Sequence, residues 1–255
     1  MAIDVHHEVT GPADAPVVVL SNSLGTTLEM WDRQRDALAG YRVVRYDTRG
    51  HGRSPVPDGP STIADLGADL VALLDRLEVD RASLVGISLG GMTALWVAAH
   101  HPHRVDRLLP CFTSPQMGPP EMWRERIALV RAGGTGALAD STVERWFTPA
   151  FREREPGVVA AIHAAFSATP AEGYVSCSQA IEAMDLRGDL GRIVAPTLVI
   201  AGAEDPSTPP ARGALIADGI RGAELLVLAD CAHLGNIGQT GAYNAALLDH
   251  LEGGD

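Results

Sequence analysis

Cysteine is scarce in this chain of 255 residues: Cys111, Cys177 and Cys231 are the only three. An odd number at distant positions excludes a disulfide framework, and the separations match no metal-ligand spacing, so reduced thiols in a cytoplasm are expected. Positive charge is short as well. Twenty Lys+Arg stand against 32 Asp+Glu, a formal net charge of -12, which makes nucleic acid and anionic membrane surfaces poor partners. Long apolar runs are missing. The stretch from Met1 to Val9 carries Asp4 and Glu8, and nothing approaches the length of a bilayer span, so a soluble, unexported protein is expected. Repeats and low-complexity tracts are absent too, and the length suits one substantial core without demanding a second independent domain.

What is present centres on one short turn, Gly86-Ile87-Ser88-Leu89-Gly90, with Gly91 behind it. Ahead of it, Ala82-Ser83-Leu84-Val85 is compact and apolar, as a buried strand is. Behind it, Met92, Leu95, Trp96 and Ala99 recur at helical steps up to about His101. A strand that turns abruptly into a helix lifts the side chain at the turn out of the sheet and sets the next N–H at a helix N-terminus. That is a nucleophile elbow, with Ser88 at its tip. G-x-S-x-G alone is a loose pattern; the flanking strand, the helix and the third glycine make it specific.

The rest of the chain alternates in a βαβ rhythm, which predicts an α/β fold with a mostly parallel sheet and helices on both faces. Strands are expected at Val5 to Val9, Val17 to Leu20, Arg42 to Tyr46, Arg107 to Cys111, Pro196 to Ala201 and Glu224 to Leu228. Helices are expected near Leu28 to Ala39, over Ile63 to Leu77, around Arg212 to Ala217 and from Gly241 to Leu251. Between about Ser114 and Met184 only helical periodicity appears, which predicts three or four helices punctuated at Gly133-Gly134, Thr148-Pro149 and Thr169-Pro170. The expected organisation is a core of residues 1–113 and 186–255 with a helical cap of residues 114–185 inserted after a sheet strand.

A serine hydroxyl is a weak nucleophile and needs a histidine base held by a carboxylate. Asp205 follows the strand ending at Ala201-Gly202, and His233 follows Leu228 through a four-residue loop, so both fall on the rim where the elbow points. The order Ser88, Asp205, His233 is that of α/β-hydrolases. Most of the nine histidines read as solvated or structural. His51 is the rival base, but it precedes the elbow in the loop from Asp47 to Ser54, which is assigned to packing and turn formation. Asp205 could instead cap the following helix, and Glu204 is the neighbour that could replace it in the triad. The oxyanion of a tetrahedral intermediate needs two backbone donors. Leu89 N–H is one, and Leu24 N–H the other, with Ser23 as the alternative.

Taken together, Ser21-Asn22-Ser23-Leu24-Gly25-Thr26-Thr27, Trp31-Asp32, Tyr46-Asp47-Thr48-Arg49-Gly50-His51-Gly52, Gly86 to Met92, Ala201-Gly202-Ala203-Glu204-Asp205 and Ala232-His233-Leu234 resemble the 3-oxoadipate enol-lactonases, α/β-hydrolases of bacterial aromatic catabolism. Asn22-Ser23, where many α/β-hydrolases have His-Gly, is typical of that family. Gly235 to Thr240 departs from its Ser-Asn-x-Glu-x-Pro form. The resemblance spans the whole chain and implies hydrolysis of the enol-lactone to 3-oxoadipate in the protocatechuate and catechol branches, with no metal or organic cofactor. Such a lactone carries a free carboxylate. Among Arg124, Arg126, Arg131, Arg145, Arg152 and Arg154, Arg145 beside Trp146 is favoured to bind it, with Trp123 and Trp146 as apolar walls. The alternatives are a broad carboxylesterase with the same triad and a non-catalytic ligand receptor of the same fold.

Overall fold

In a computed structural model, residues 2–253 are described. Seven strands, β1 (His7–Thr10), β2 (Val17–Ser21), β3 (Arg42–Tyr46), β4 (Ala82–Ile87), β5 (Val105–Cys111), β6 (Leu198–Gly202) and β7 (Glu224–Leu228), form one sheet. Their order is β1-β3-β2-β4-β5-β6-β7. Only β1 runs antiparallel, pairing His7 with Tyr46; every other pairing is parallel. Central β4 is buried at all six residues. A strand with no exposed side must be covered on both faces, which is why its sequence is continuously apolar rather than alternating.

Because β2, β4, β6 and β7 are parallel, their carboxyl ends lie along one edge. The loops that leave those ends carry Ser23-Leu24, Ser88, Asp205 and His233. Helices α1 (Ile63–Arg76), α2 (Leu89–His100), α8 (Pro210–Gly219), α9 (Gly235–Gly238) and α10 (Thr240–Glu252) belong to the same body as the sheet. α1 presents Leu66, Leu70, Leu73 and Leu74 inward, and all four are buried.

Two expectations need correction. The stretch from Leu28 is a 3-10 helix ending at Gln34, not an α-helix to Ala39. Of its buried residues Leu28, Met30, Trp31 and Gln34, three recur every three positions, and three residues per turn stacks those three on one face. Between β5 and β6 the chain is helical, but with five α-helices rather than three or four: α3 (Pro120–Gly133), α4 (Ala139–Trp146), α5 (Pro149–Arg154), α6 (Pro156–Ser167) and α7 (Ala171–Ala183). The extra boundary is Glu155-Pro156, where proline opens a new helix because its missing N–H costs nothing at that position. An antiparallel bridge between Gln116 and Asp185 brings the two ends of this segment together.

Candidate active site

Ser88 stands at the tip of the turn from β4 into α2 with φ 55 and ψ -115. A positive φ on a residue with a side chain costs on the order of 1–3 kcal/mol, so the surroundings must enforce it. A Cβ on Gly86 would lie 2.2 Å from the Gly90 carbonyl oxygen, and one on Gly90 would lie 2.1 Å from that of Ser21. Both positions therefore require glycine. Ser88 N–H donates to the Cys111 carbonyl at 3.0 Å, and the Thr113 hydroxyl donates to the Ser88 carbonyl at 2.7 Å. The backbone is thus pinned on both sides while the side chain is left half-exposed between buried Ile87 and Leu89.

Asp205 and His233, 28 residues apart, meet at the ends of β6 and β7, with His233 Nδ1 2.8 Å from Asp205 Oδ2. Oδ2 also accepts from the Thr208 hydroxyl at 2.7 Å, and Oδ1 accepts the N–H groups of Ser207 at 2.8 Å and Thr208 at 3.1 Å. Burial alone would raise the Asp205 carboxyl, but the charge and hydrogen bond of His233, with the donors of Thr208, outweigh it and hold the group below the usual carboxylate range. An ionised Asp205 fixes the proton on His233 Nδ1 and leaves Nε2 as the basic nitrogen. The helix-capping role considered for Asp205 is not seen: its bonds to the Ser207 and Thr208 N–H groups close the loop ahead of α8, whose N-cap, Pro209, has no side-chain cap hydrogen bond.

The loop after β2 supplies the remaining backbone donors. Ser23 N–H is directed at Met30 Sδ, 3.4 Å away, and Gly25 N–H donates to His51 Nε2 at 2.9 Å. Among the described residues no hydrogen bond engages the Leu24 N–H between them. Leu89 is the first residue of α2, so its N–H has no intrahelical acceptor. Among the described residues the Leu24 and Leu89 N–H groups are thus both without an acceptor. His51 lies within the loop assigned to structure, yet it reaches this turn. It is wholly buried, and desolvation pushes it down to about 4, so it is a neutral acceptor.

Ser88 and His233 line one cavity of about 390 Å³, together with Ser23, Leu24, Trp123, Arg126, Arg145 and Trp146. Asp205 stands behind His233, and Leu89 is fully buried behind the elbow. Of the six arginines singled out between β5 and β6, only Arg126 and Arg145 reach this cavity. Arg124 pairs instead with Glu182 at 2.7 Å, and Arg152 lies 4.0 Å from Glu144. Among the described residues neither Arg126 nor Arg145 has a carboxylate within ion-pair distance. They share the Thr142 hydroxyl, at 3.1 and 3.3 Å, and Arg126 also donates to the Tyr174 hydroxyl. Burial, then the neighbouring charge of Arg126, lowers Arg145 from the usual guanidinium value. Thr208 and Met30 were not singled out by the sequence, where no local motif marks them, and His51, assigned there to packing and turn formation, bonds the turn that carries Leu24. Among the described residues no group of three or more His, Cys, Asp or Glu is arranged to hold a metal ion.

A serine on a strained strand-to-helix turn, above a mostly parallel sheet whose later strands bring up an aspartate and a histidine, defines the α/β-hydrolases. The chain belongs to that family and is a hydrolase: the profile described as alpha/beta hydrolase fold matches residues 16–239. Among curated proteins, 3-oxoadipate enol-lactonase 2 of Acinetobacter baylyi (strain ATCC 33305 / BD413 / ADP1) is 41% identical over 246 residues, 96% of this chain and 92% of that protein. The crystal structure of the enol-lactonase from Burkholderia xenovorans LB400 matches with a TM-score of 0.95 at 43% identity, covering 97% of this chain and 96% of that one. RutD of Variovorax paradoxus (strain S110), whose name assigns it provisionally to carbamate hydrolysis, is 35% identical over 254 residues, 97% of this chain and 96% of its own. The resemblance to the enol-lactonases thus extends over nearly the whole chain.

Proposed function

We propose that this hydrolase opens 3-oxoadipate enol-lactone to 3-oxoadipate, in the protocatechuate and catechol branches of aromatic degradation, through an acyl-enzyme on Ser88. His233 Nε2 takes the Ser88 proton as Oγ attacks the lactone carbonyl, and the N–H groups of Leu24 and Leu89 receive the oxyanion. Collapse of the tetrahedral intermediate breaks the ring C–O bond. The leaving oxygen departs as an enolate, which the His233 imidazolium protonates on the way to the ketone. Water, deprotonated by His233, then attacks the acyl-enzyme and releases the acid and Ser88. Asp205 holds the imidazole tautomer throughout. These steps call for no metal or organic cofactor.

The observation that carries the substrate assignment is the pair Arg126 and Arg145, two guanidinium groups facing one cavity with no carboxylate of the protein against them. Two partly desolvated like charges repel each other, and an anionic ligand relieves both costs. In this reading the helices of residues 114–185 act as a cap that brings the substrate carboxylate to these arginines, with Trp123 and Trp146 as walls. Glu125 also lines the cavity and is exposed; its charge belongs at the mouth in this account.

Arg145→Gln and Arg126→Gln are expected to raise KM for the lactone about 10-fold or more each, while leaving KM for p-nitrophenyl acetate within about twofold. Steady-state kinetics on both substrates checks this. Unchanged KM for the lactone in both variants would mean that neutral donors recognise the substrate.

A further inference from the structure

The turn that presents Leu24 is held by two side chains, Met30 from the helix that follows it and His51 from the loop after β3. Thr26 N–H donates to the Ser23 carbonyl at 3.2 Å, closing a four-residue turn, and the Thr26 hydroxyl donates to the same oxygen at 2.7 Å. Gly25, its third residue, has φ +80, as a type II turn requires. Types I and II differ mainly in the orientation of the central peptide, here the Leu24 carbonyl and the Gly25 N–H. His51 Nε2 accepts that N–H at 2.9 Å, and its Nδ1 lies 3.0 Å from the Arg49 carbonyl. The proton must therefore sit on Nδ1, and the Nε2 lone pair faces the turn. On the other side, Met30 Sδ lies 3.4 Å from Ser23 N and 3.0 Å from the Thr26 hydroxyl. The Met30 carbonyl is itself held by Asn236 Nδ2 at 2.9 Å, on the segment that follows His233.

Of three consecutive N–H groups, the outer two are occupied and the middle one is free. The two acceptors share a property: both are uncharged. A carboxylate could hold the same N–H groups more tightly, but its charge would oppose the negative charge that develops beside Leu24 during acyl transfer. A neutral imidazole nitrogen and a thioether satisfy the backbone without that penalty.

We propose that His51 and Met30 are positioning residues for the oxyanion hole, holding the N–H groups on either side of Leu24 so that its own N–H faces the reacting carbonyl. The inference rests on the reading of Leu24 and Leu89 as the oxyanion donors. Its test compares His51→Phe, Met30→Leu and His51→Gln with Ser88→Ala, reading kcat, KM, the inhibition constant of a phenylboronic acid and the urea midpoint. The boronate forms a tetrahedral adduct with a serine nucleophile and so probes the hole directly. His51→Phe and Met30→Leu should lower kcat about 10-fold or more and weaken the boronate by a similar factor, with KM within about twofold. His51→Gln, whose amide oxygen can accept from Gly25 N–H, should recover most of the loss. Folded His51→Phe and Met30→Leu variants with kcat within twofold of the parent, or with kcat lowered and boronate affinity unchanged, would overturn the proposal. If His51→Phe does not fold, Met30→Leu, which nearly conserves volume, decides alone. Turnover surviving in Ser88→Ala would instead remove the nucleophile reading, so the two failures are separable.

Discussion

Ser88 combines two demands at one position: a backbone held at positive φ and a hydroxyl with access to the cavity. Neither contributes to stability in an obvious way, which is the behaviour expected where strain serves chemistry. Ser88→Ala should therefore keep the fold while kcat falls by roughly 10⁴-fold or more, because a triad without its nucleophile retains only binding and the oxyanion hole. A Ser88→Ala variant whose thermal melt matches the parent and whose turnover stays near the wild-type value would exclude covalent serine catalysis. At this scale Ser88, Asp205 and His233 are legible because each follows an apolar strand by a few residues, a local signal. The choice between Ser23 and Leu24 is not legible. It turns on Met30 Sδ and His51 Nε2, and which N–H is left free depends on side chains that only the folded chain brings to the turn. Arg126 is hidden for a related reason: among six arginines on helices, only packing decides which two face the cavity.

Elements were predictable where one period dominates. β3 and β7 coincide with the expected spans because alternation or continuous apolarity stops at polar turns. α1 is bounded by a capping box, in which the Thr62 side chain accepts from Asp65 N–H and Asp65 bonds back to Thr62 N–H. Thr62→Ala should therefore cost about 1 kcal/mol, seen as a lower urea midpoint with kcat unchanged. A midpoint equal to the parent would show that packing of the buried leucine face alone sets the start of α1. The 3-10 stretch Leu28–Gln34 was misread because Trp31 and Leu38, seven apart, also fit an α-helical face. Only the burial of Gln34, which donates to the Asn236 carbonyl at 2.9 Å, reveals the three-residue step.

Across the molecule, charge and burial oppose one another. The surface is acidic, yet all 20 basic residues are arginines, whose charge persists at every working pH. Buried His51 contributes to the pH response of the fold, in the same direction as His101 and His250, which burial also lowers. The His51 value of about 4 in the folded chain lies below the ordinary 6.5, so the unfolded chain binds a proton that the folded chain refuses. Its contribution is complete above pH 6.5, declines as pH falls and levels off below about 4. The total is about 3 kcal/mol at ~1.4 kcal/mol per pKa unit. His51→Gln should flatten the dependence of unfolding free energy on pH across that window; an unaltered slope would place the titration elsewhere.

The central claim is that this is a dedicated lactonase and not a general esterase with the same triad. On the proposed reading, a remote carboxylate held by Arg126 and Arg145 would provide binding energy to orient the carbonyl over Ser88, whereas a neutral aryl ester has no such handle. The measurement is kcat/KM for enzymatically generated 3-oxoadipate enol-lactone beside p-nitrophenyl acetate under one set of conditions. The account predicts a lactone value higher by about 10²-fold or more, taking the ~3 kcal/mol expected of a paired, partly desolvated carboxylate. Equal or lower efficiency on the lactone would contradict it and leave a serine hydrolase whose substrate lies elsewhere.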